Sequence, residues 1–169
     1  MIKKKIAMVG AFAVGKTSLV QRFVRSIFSE KYHTTIGVKI DQKELTVNNV
    51  EVTLLLWDIH GEDDFMKIKP TYLIGSSGYF LVADGTRSDT YETAIKLHEM
   101  TSSVTKNAAF ILLVNKADLK DSWEITDAQL DTLKEQGWQI MFTSAKTGEN
   151  VENAFAQLTK KMLQNQQYV

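Results

Sequence analysis

Cysteine is absent from the 169 residues, which excludes disulfides, thiolate metal ligands and a prenyl or palmitoyl group carried on a thiol. The only proline is Pro70. Net charge is lacking as well: 20 Lys and Arg balance 20 Asp and Glu, so charge points to neither nucleic acid nor an anionic membrane as partner. No apolar run is long enough for a leader peptide or a bilayer span, and Ile2 rather than glycine follows Met1, so no myristoylation signal is present. Lys3-Lys4-Lys5 reads as the solvated entrance of a strand rather than a lipid contact. The expectation is a cytoplasmic protein with no direct membrane anchor. Its length predicts one domain over 1–169, large enough to bury about 70% of the unfolded surface.

What is present is organised around Gly10-Ala11-Phe12-Ala13-Val14-Gly15-Lys16-Thr17, which fits G-x-x-x-x-G-K-[ST]. A short apolar run, Ile6 to Val9, precedes it, and Leu19, Val20, Phe23 and Val24 follow at helical spacing. The motif therefore falls at a strand-to-helix turn, where backbone N–H groups and a helix N-terminus converge into an anion site. Ala13, Val14, Gly15, Lys16, Thr17 and Ser18 are the expected phosphate-binding residues, Lys16 adding charge and Thr17 a hydroxyl for Mg²⁺. The bland alternative is a glycine turn with a surface lysine.

Strand and helix patterns then alternate. A helix is predicted over 16–26 and a loop over 27–35. Val38–Val47 and Val50–Trp57 flank Asn48-Asn49 as a hairpin. Leu54-Leu55-Leu56-Trp57 is continuously apolar, which predicts burial on both faces. Strands follow at 79–83, 110–114 and 138–142. Helices are expected after Ser88 or Asp89, over 127–136 from Thr126 or Asp127 to Gly137, and along the stripe Val151, Phe155, Leu158, Met162 and Leu163. This is an α/β pattern: a doubly wound, mostly parallel six-stranded sheet with one antiparallel hairpin arm and about five helices. Ligands in such sheets sit beyond the carboxyl ends of the strands.

Those strand ends carry the remaining motifs. Asp58-Ile59-His60-Gly61 reads D-x-x-G: the carboxylate suits Mg²⁺, and the glycine N–H suits close approach to a γ-phosphate. In Asn115-Lys116-Ala117-Asp118 the Asp118 carboxylate can accept two hydrogen bonds from guanine, a pair of donors that adenine lacks. Asn115 would tie the loops together, and the Lys116 stem would lie along the base. Ser144-Ala145-Lys146 comes fourth, with the Ala145 N–H facing guanine O6.

With these four motifs in order, the chain from about Lys5 to Leu163 resembles the Ras-superfamily small GTPases, the Rab-like branch most closely, in a P-loop G domain. The resemblance implies a GTP/GDP switch with Mg²⁺ that hydrolyses GTP slowly. Thr34-Thr35-Ile36-Gly37-Val38 is similar to switch I, and Trp57-Asp58-Ile59-His60-Gly61-Glu62 to switch II. By that match Thr17, Thr35 and Asp58 serve the metal, Phe28 packs on the guanine and Tyr32 folds over the phosphates. Glu62, Lys16 and Gly61 form the catalytic set. Loops near 28–37 and 60–72 would recruit effector proteins in the GTP state, with exchange and activating proteins as further partners of a monomer. Ile40, Trp57 and Tyr72 look like the effector-facing triad, unless Ile40 and Trp57 are simply core.

Three positions depart from the family pattern. Glu62 stands where a glutamine orients the attacking water; its charge opposes the phosphates, and Asp63 and Asp64 add to that. Phe12 replaces a small residue and would crowd the γ-phosphate, which motivates an alternative function as a hydrolysis-impaired GTP-binding module. His60 replaces an alanine and reads as a surface or packing residue. Gly85-Thr86-Arg87 also differs from the usual Rab sequence. The end at Gln166-Gln167-Tyr168-Val169 lacks the family's cysteine tail, which suits either a trimmed chain or a soluble relative without a lipid anchor.

Overall fold

The computed structural model describes residues 2–29, 37–61 and 67–166. Among these, strands and α-helices succeed one another as β1 (Ile2–Gly10), α1 (Lys16–Arg25), β2 (Val38–Val47), β3 (Val50–Ile59), β4 (Gly78–Asp84), α2 (Ser88–Thr105), β5 (Ala109–Asn115), α3 (Asp127–Glu135), β6 (Ile140–Thr143) and α4 (Val151–Gln166). Short 3-10 helices lie at Pro70–Tyr72 and Ala117–Ser122. The six strands form one sheet in the order β2-β3-β1-β4-β5-β6. Only β2 and β3 run antiparallel, as the alternation of patterns predicts. Their hairpin closes because Asn48 and Asn49 accept φ of 50° and 64°, the pair of left-handed residues that a two-residue turn needs.

Alternation along the strands separates two cores. Ile6, Met8, Leu54, Leu56, Phe80, Val82, Ile111 and Leu113 face α1 and α4. Ala7, Val9, Tyr79, Leu81, Leu112 and Val114 face α2 and α3. On the first side the Phe155 ring stacks on Phe23 at 3.9 Å and meets Phe80 edge-on at 4.9 Å. With β1 central and its neighbours leading to opposite edges, its carboxyl end lies where ligands bind in doubly wound sheets.

Several expectations shift. β1 begins at Ile2 rather than Ile6, because Ile2–Lys5 pair in register with Val52–Leu55. Lys5 is not simply solvated: its Nζ lies 3.5 Å above the centre of the Trp57 ring and donates to the Ile74 carbonyl at 2.8 Å. β3 is fully buried on one face only; Leu54 and Leu56 are inside, whereas Leu55 and Trp57 are half-buried. On their side α2 lies over β1 and β4. Neither Ser88 nor Asp89 caps α2; Glu124 Oε1 accepts the Ser88 N–H at 3.0 Å instead. Thr126, with Gln129, forms a capping box on α3. Trp138 stays out of β6 because its N–H donates to the Leu133 carbonyl at 3.1 Å and closes α3.

Replacing Phe155 by alanine removes a fully buried ring and should cost about 3–5 kcal/mol of stability, read as a lower urea midpoint. A loss below about 1 kcal/mol would mean that this ring does not hold α4 to the sheet.

Candidate functional site

β1 ends at Gly10, and the chain wraps back to start α1 at Lys16, with Gly15 at φ 105° as the N-cap. A side chain at Gly15 would also collide with Asn115, whose Nδ2 lies 2.3 Å from the position of a Cβ. Glycine is required here on both counts. Lys16 is 5% exposed, and its Nζ donates to the carbonyls of Ala11 at 3.0 Å and Gly10 at 3.3 Å. Burial pushes its pKa from 10.5 down to about 8, against the attraction of Asp58 and with the repulsion of Arg87. An anion in the loop would reverse part of that cost.

Asp58, near the end of β3 and 1% exposed, accepts the Thr17 hydroxyl on Oδ2 at 2.6 Å. Its Oδ1 is buried without a hydrogen-bond partner. Burial pushes the carboxyl pKa up, while the Thr17 bond and Lys16 pull it down. An orphaned, buried carboxylate oxygen beside a hydroxyl fits a hard cation. No group of three or more His, Asp and Glu converges on a metal site among the described residues. A carboxylate and a hydroxyl are oxygen donors of the kind Mg²⁺ takes, its other ligands coming from water and phosphate.

The loops after β5 and β6 close the other end. Asn115 Nδ2 donates to the Val14 carbonyl at 3.1 Å, and its Oδ1 accepts from Thr143 Oγ1 at 3.2 Å. Ser144 Oγ donates to Asp118 Oδ1 at 2.8 Å. Arg22 of α1 holds the carbonyls of Ala145 and Lys146. Lys116, at φ 72°, sets its Nζ 2.8 Å from Oδ2 of the fully buried Asp84.

A cavity of about 320 Å³ runs between the two ends. It brings together Ala13, Gly15, Lys16, Thr17, Ser18, Phe28, Gly61, Asn115, Lys116, Asp118, Ala145 and Lys146. Val14 and Ser144 stand behind this wall: the Val14 side chain is in the core, and Ser144 is fully buried under Asp118. Tyr32, Thr35 and Glu62 lie outside the described residues. Ser29, Ile59 and Leu119 also line the cavity; Ile59 is a variable position of the D-x-x-G motif, and Ser29 and Leu119 carry no motif that would have marked them. Phe12 lines it too. The Asp84–Lys116 pair was likewise missed, since nothing local joins the last residue of β4 to the loop after β5. His60 is buried rather than at the surface: its ring nitrogens face the carbonyls of Gly37 at 3.2 Å and Lys67 at 3.1 Å. Ile40 is 51% exposed, so it is not core.

Such a sheet, with a Gly-rich loop leading from its central strand into a lysine-bearing helix, defines a P-loop GTPase fold. The chain belongs to the Ras family, whose model matches residues 5–164. It is 35% identical over 160 residues to the Ras-related protein RABA5a of Arabidopsis thaliana, covering 94% of this chain and 72% of that one. Similarity to the Ras-related protein RHN1 of Nicotiana plumbaginifolia is 35% over 164 residues, 95% and 82% of the two chains. For the Ras-related protein Rab-4A of Danio rerio the figures are 34% over 162 residues, 94% and 76%. The protein is therefore a Rab-like small GTPase. Among the described residues no helix is long and apolar enough to cross a membrane.

The buried Lys16 has a pH signature in the ligand-free protein. Between about pH 8 and 10.5 the unfolded chain holds a proton that folded Lys16 releases, so stability rises with pH across that window. The gain is at most about 1.4 kcal/mol per pH unit. Above pH 10 the Tyr79 hydroxyl, pushed up to about 12, acts in the opposite direction. Urea unfolding of the native protein and Lys16→Met across the lower part of the window should show the native protein gaining relative to the variant. A constant difference would remove the assignment.

Proposed function

We infer that the protein is a monomeric, cytoplasmic guanine-nucleotide switch that binds Mg-GTP through its P-loop and hydrolyses it slowly to GDP and phosphate. The observation that carries this reading is one cavity with Lys16 at one end and Asp118 at the other, its two loops joined by Asn115. The first end has the charge and backbone donors for phosphates, the second a carboxylate for the guanine donors. Phe28 offers an apolar flank to the base, with Ala145 and Lys146 closing the far side and Lys116 running along it.

In this reading the Lys16 ammonium leaves its two carbonyl partners for the phosphates. Thr17 and Thr35 would hold Mg²⁺ with Asp58 behind them. When bound, the metal neutralises phosphate charge. The Gly61 N–H faces the γ-phosphate. Water attacks the γ-phosphorus as the bond to the leaving GDP oxygen breaks, and Glu62, by its position in the motif, would orient that water. By the family match Tyr32 would fold over the phosphates. The loops near 28–37 and 60–72 change with the nucleotide and, together with Ile40 of β2 and Trp57 of β3, offer Tyr72 and a half-exposed apolar surface to effector proteins, exchange and activating proteins resetting the cycle.

Phe12 favours a second reading, a platform that holds GTP and scarcely hydrolyses it. It lines the cavity, and Gly61 packs so close that a Cβ there would lie 2.3 Å from the Phe12 Cα. A ring on this crest narrows the space for water and for an incoming arginine.

Two outcomes are expected. GDP and GTP should bind tightly with Mg²⁺ and ATP about a hundredfold or more weakly, with Asp118→Asn losing a similar factor for GTP, because an amide offers guanine a donor where an acceptor is needed. Equal ATP and GTP affinity would remove the base assignment. In single-turnover hydrolysis, Glu62→Gln and Phe12→Gly should each raise the rate by about tenfold, the equivalent of about 1.4 kcal/mol relieved in the transition state. If neither changes it, the platform reading loses its basis.

A further inference from the structure

The turn between β4 and α2 reaches the phosphate loop from outside the cavity. Its backbone is held from several sides. Thr86 donates to Asp84 Oδ1 through both its N–H, at 2.9 Å, and its hydroxyl, at 2.7 Å. The Arg87 N–H donates to the Asp84 carbonyl at 2.9 Å, and the Arg87 carbonyl accepts the Thr90 hydroxyl at 2.7 Å. Gly85 O accepts two N–H groups from the segment before α3, those of Glu124 at 2.8 Å and Ile125 at 3.1 Å. From this fixed base the Arg87 guanidinium extends to the P-loop, where Nη1 donates to the Phe12 carbonyl at 2.8 Å. Its Nη2 is 3.6 Å from Asp89, itself largely exposed.

The Phe12 carbonyl belongs to the same peptide unit as the Ala13 N–H. In a trans peptide, the only kind among the described residues, the C=O and N–H point in opposite directions. Holding the oxygen outside therefore turns the Ala13 N–H inward, and Ala13 lines the cavity. The hold is needed because Ala13 has a φ of 64°, a left-handed conformation that a residue with a Cβ keeps only when its surroundings impose it. Glycine would tolerate this conformation unaided; alanine does not.

We propose that Arg87 is a positioning residue for nucleotide phosphates: through the Phe12 carbonyl it aims the Ala13 N–H at them and adds a fixed positive charge behind the loop. The proposal rests on the guanine-nucleotide reading for the identity of the ligand, but not for the presence of a phosphate site. Because the Ala13 donor serves phosphates common to substrate and product, Arg87 acts on GDP and GTP alike.

The test measures dissociation constants for Mg-GDP, Mg-GTP and inorganic pyrophosphate, with single-turnover GTP hydrolysis, for the native protein, Arg87→Ala and Arg87→Lys. Arg87→Ala should weaken all three ligands by about tenfold, the size expected for one charge-assisted hydrogen bond. Arg87→Lys, which restores a cation and a donor, should recover most of the loss, whereas a merely structural defect would leave it unrecovered. Unchanged affinities in Arg87→Ala overturn the proposal. So does a loss confined to the hydrolysis rate, which would put Arg87 on the γ-phosphate itself. If the native protein binds pyrophosphate but not GDP, the guanine reading fails separately, and the pyrophosphate comparison still decides the role of Arg87.

Discussion

The side-chain amide of Asn115 is the fastening on which the site depends. It donates to the Val14 carbonyl in the loop after β1 and accepts from Thr143 at the end of β6, while its nitrogen occupies the space that any side chain on Gly15 would need. Three strand ends are thereby locked to a common depth. Both hydrogen bonds lie in the interior, where leaving either partner unsatisfied is costly. The cavity is the gap between loops that this one amide holds at a set separation.

Around that fastening the charged groups are arranged with little solvent to soften them. Lys16 and Asp58 are both buried and each is pushed toward its neutral form. Each attracts the other, yet among the described residues their hydrogen bonds go to neutral groups. Lys16 makes do with two carbonyls, and Asp58 with one hydroxyl, leaving an oxygen without a partner. A site built this way stores a desolvation cost that an anion and a cation arriving together would relieve. By contrast Lys116 and Asp84 face each other as an ion pair within the fold. It holds its loop in the left-handed turn at Lys116.

Much of the fold was legible because each element carried its own local signal: period-two runs for strands, helical stripes for α1 and α4, and Asn48-Asn49 for the hairpin. The misses have particular causes. Trp138 looks like strand by composition, yet its N–H was already committed to the end of α3. Ser88 and Asp89 look like caps, but a carboxylate from Glu124 performs that task. The apolar run 54–57 promised burial on both faces, and how far the covering helices extend is not written in the strand. At the site, Ile59 and Leu119 are ordinary apolar residues made into lining by their places at the end of β3 and in the 3-10 turn after β5.

The sequence by itself determined the order of the four strand-end motifs, the residue types that suit phosphate, metal and base, and the family to which the chain belongs. Those follow from contiguous residues, whose chemistry and spacing survive without knowledge of the fold. Tertiary structure alone decided that His60 faces two backbone carbonyls, that Lys5 covers Trp57, and that Arg87 meets a carbonyl 75 residues away. Each of these depends on strand register and on which side chains reach across between elements, and a period along one segment does not specify either.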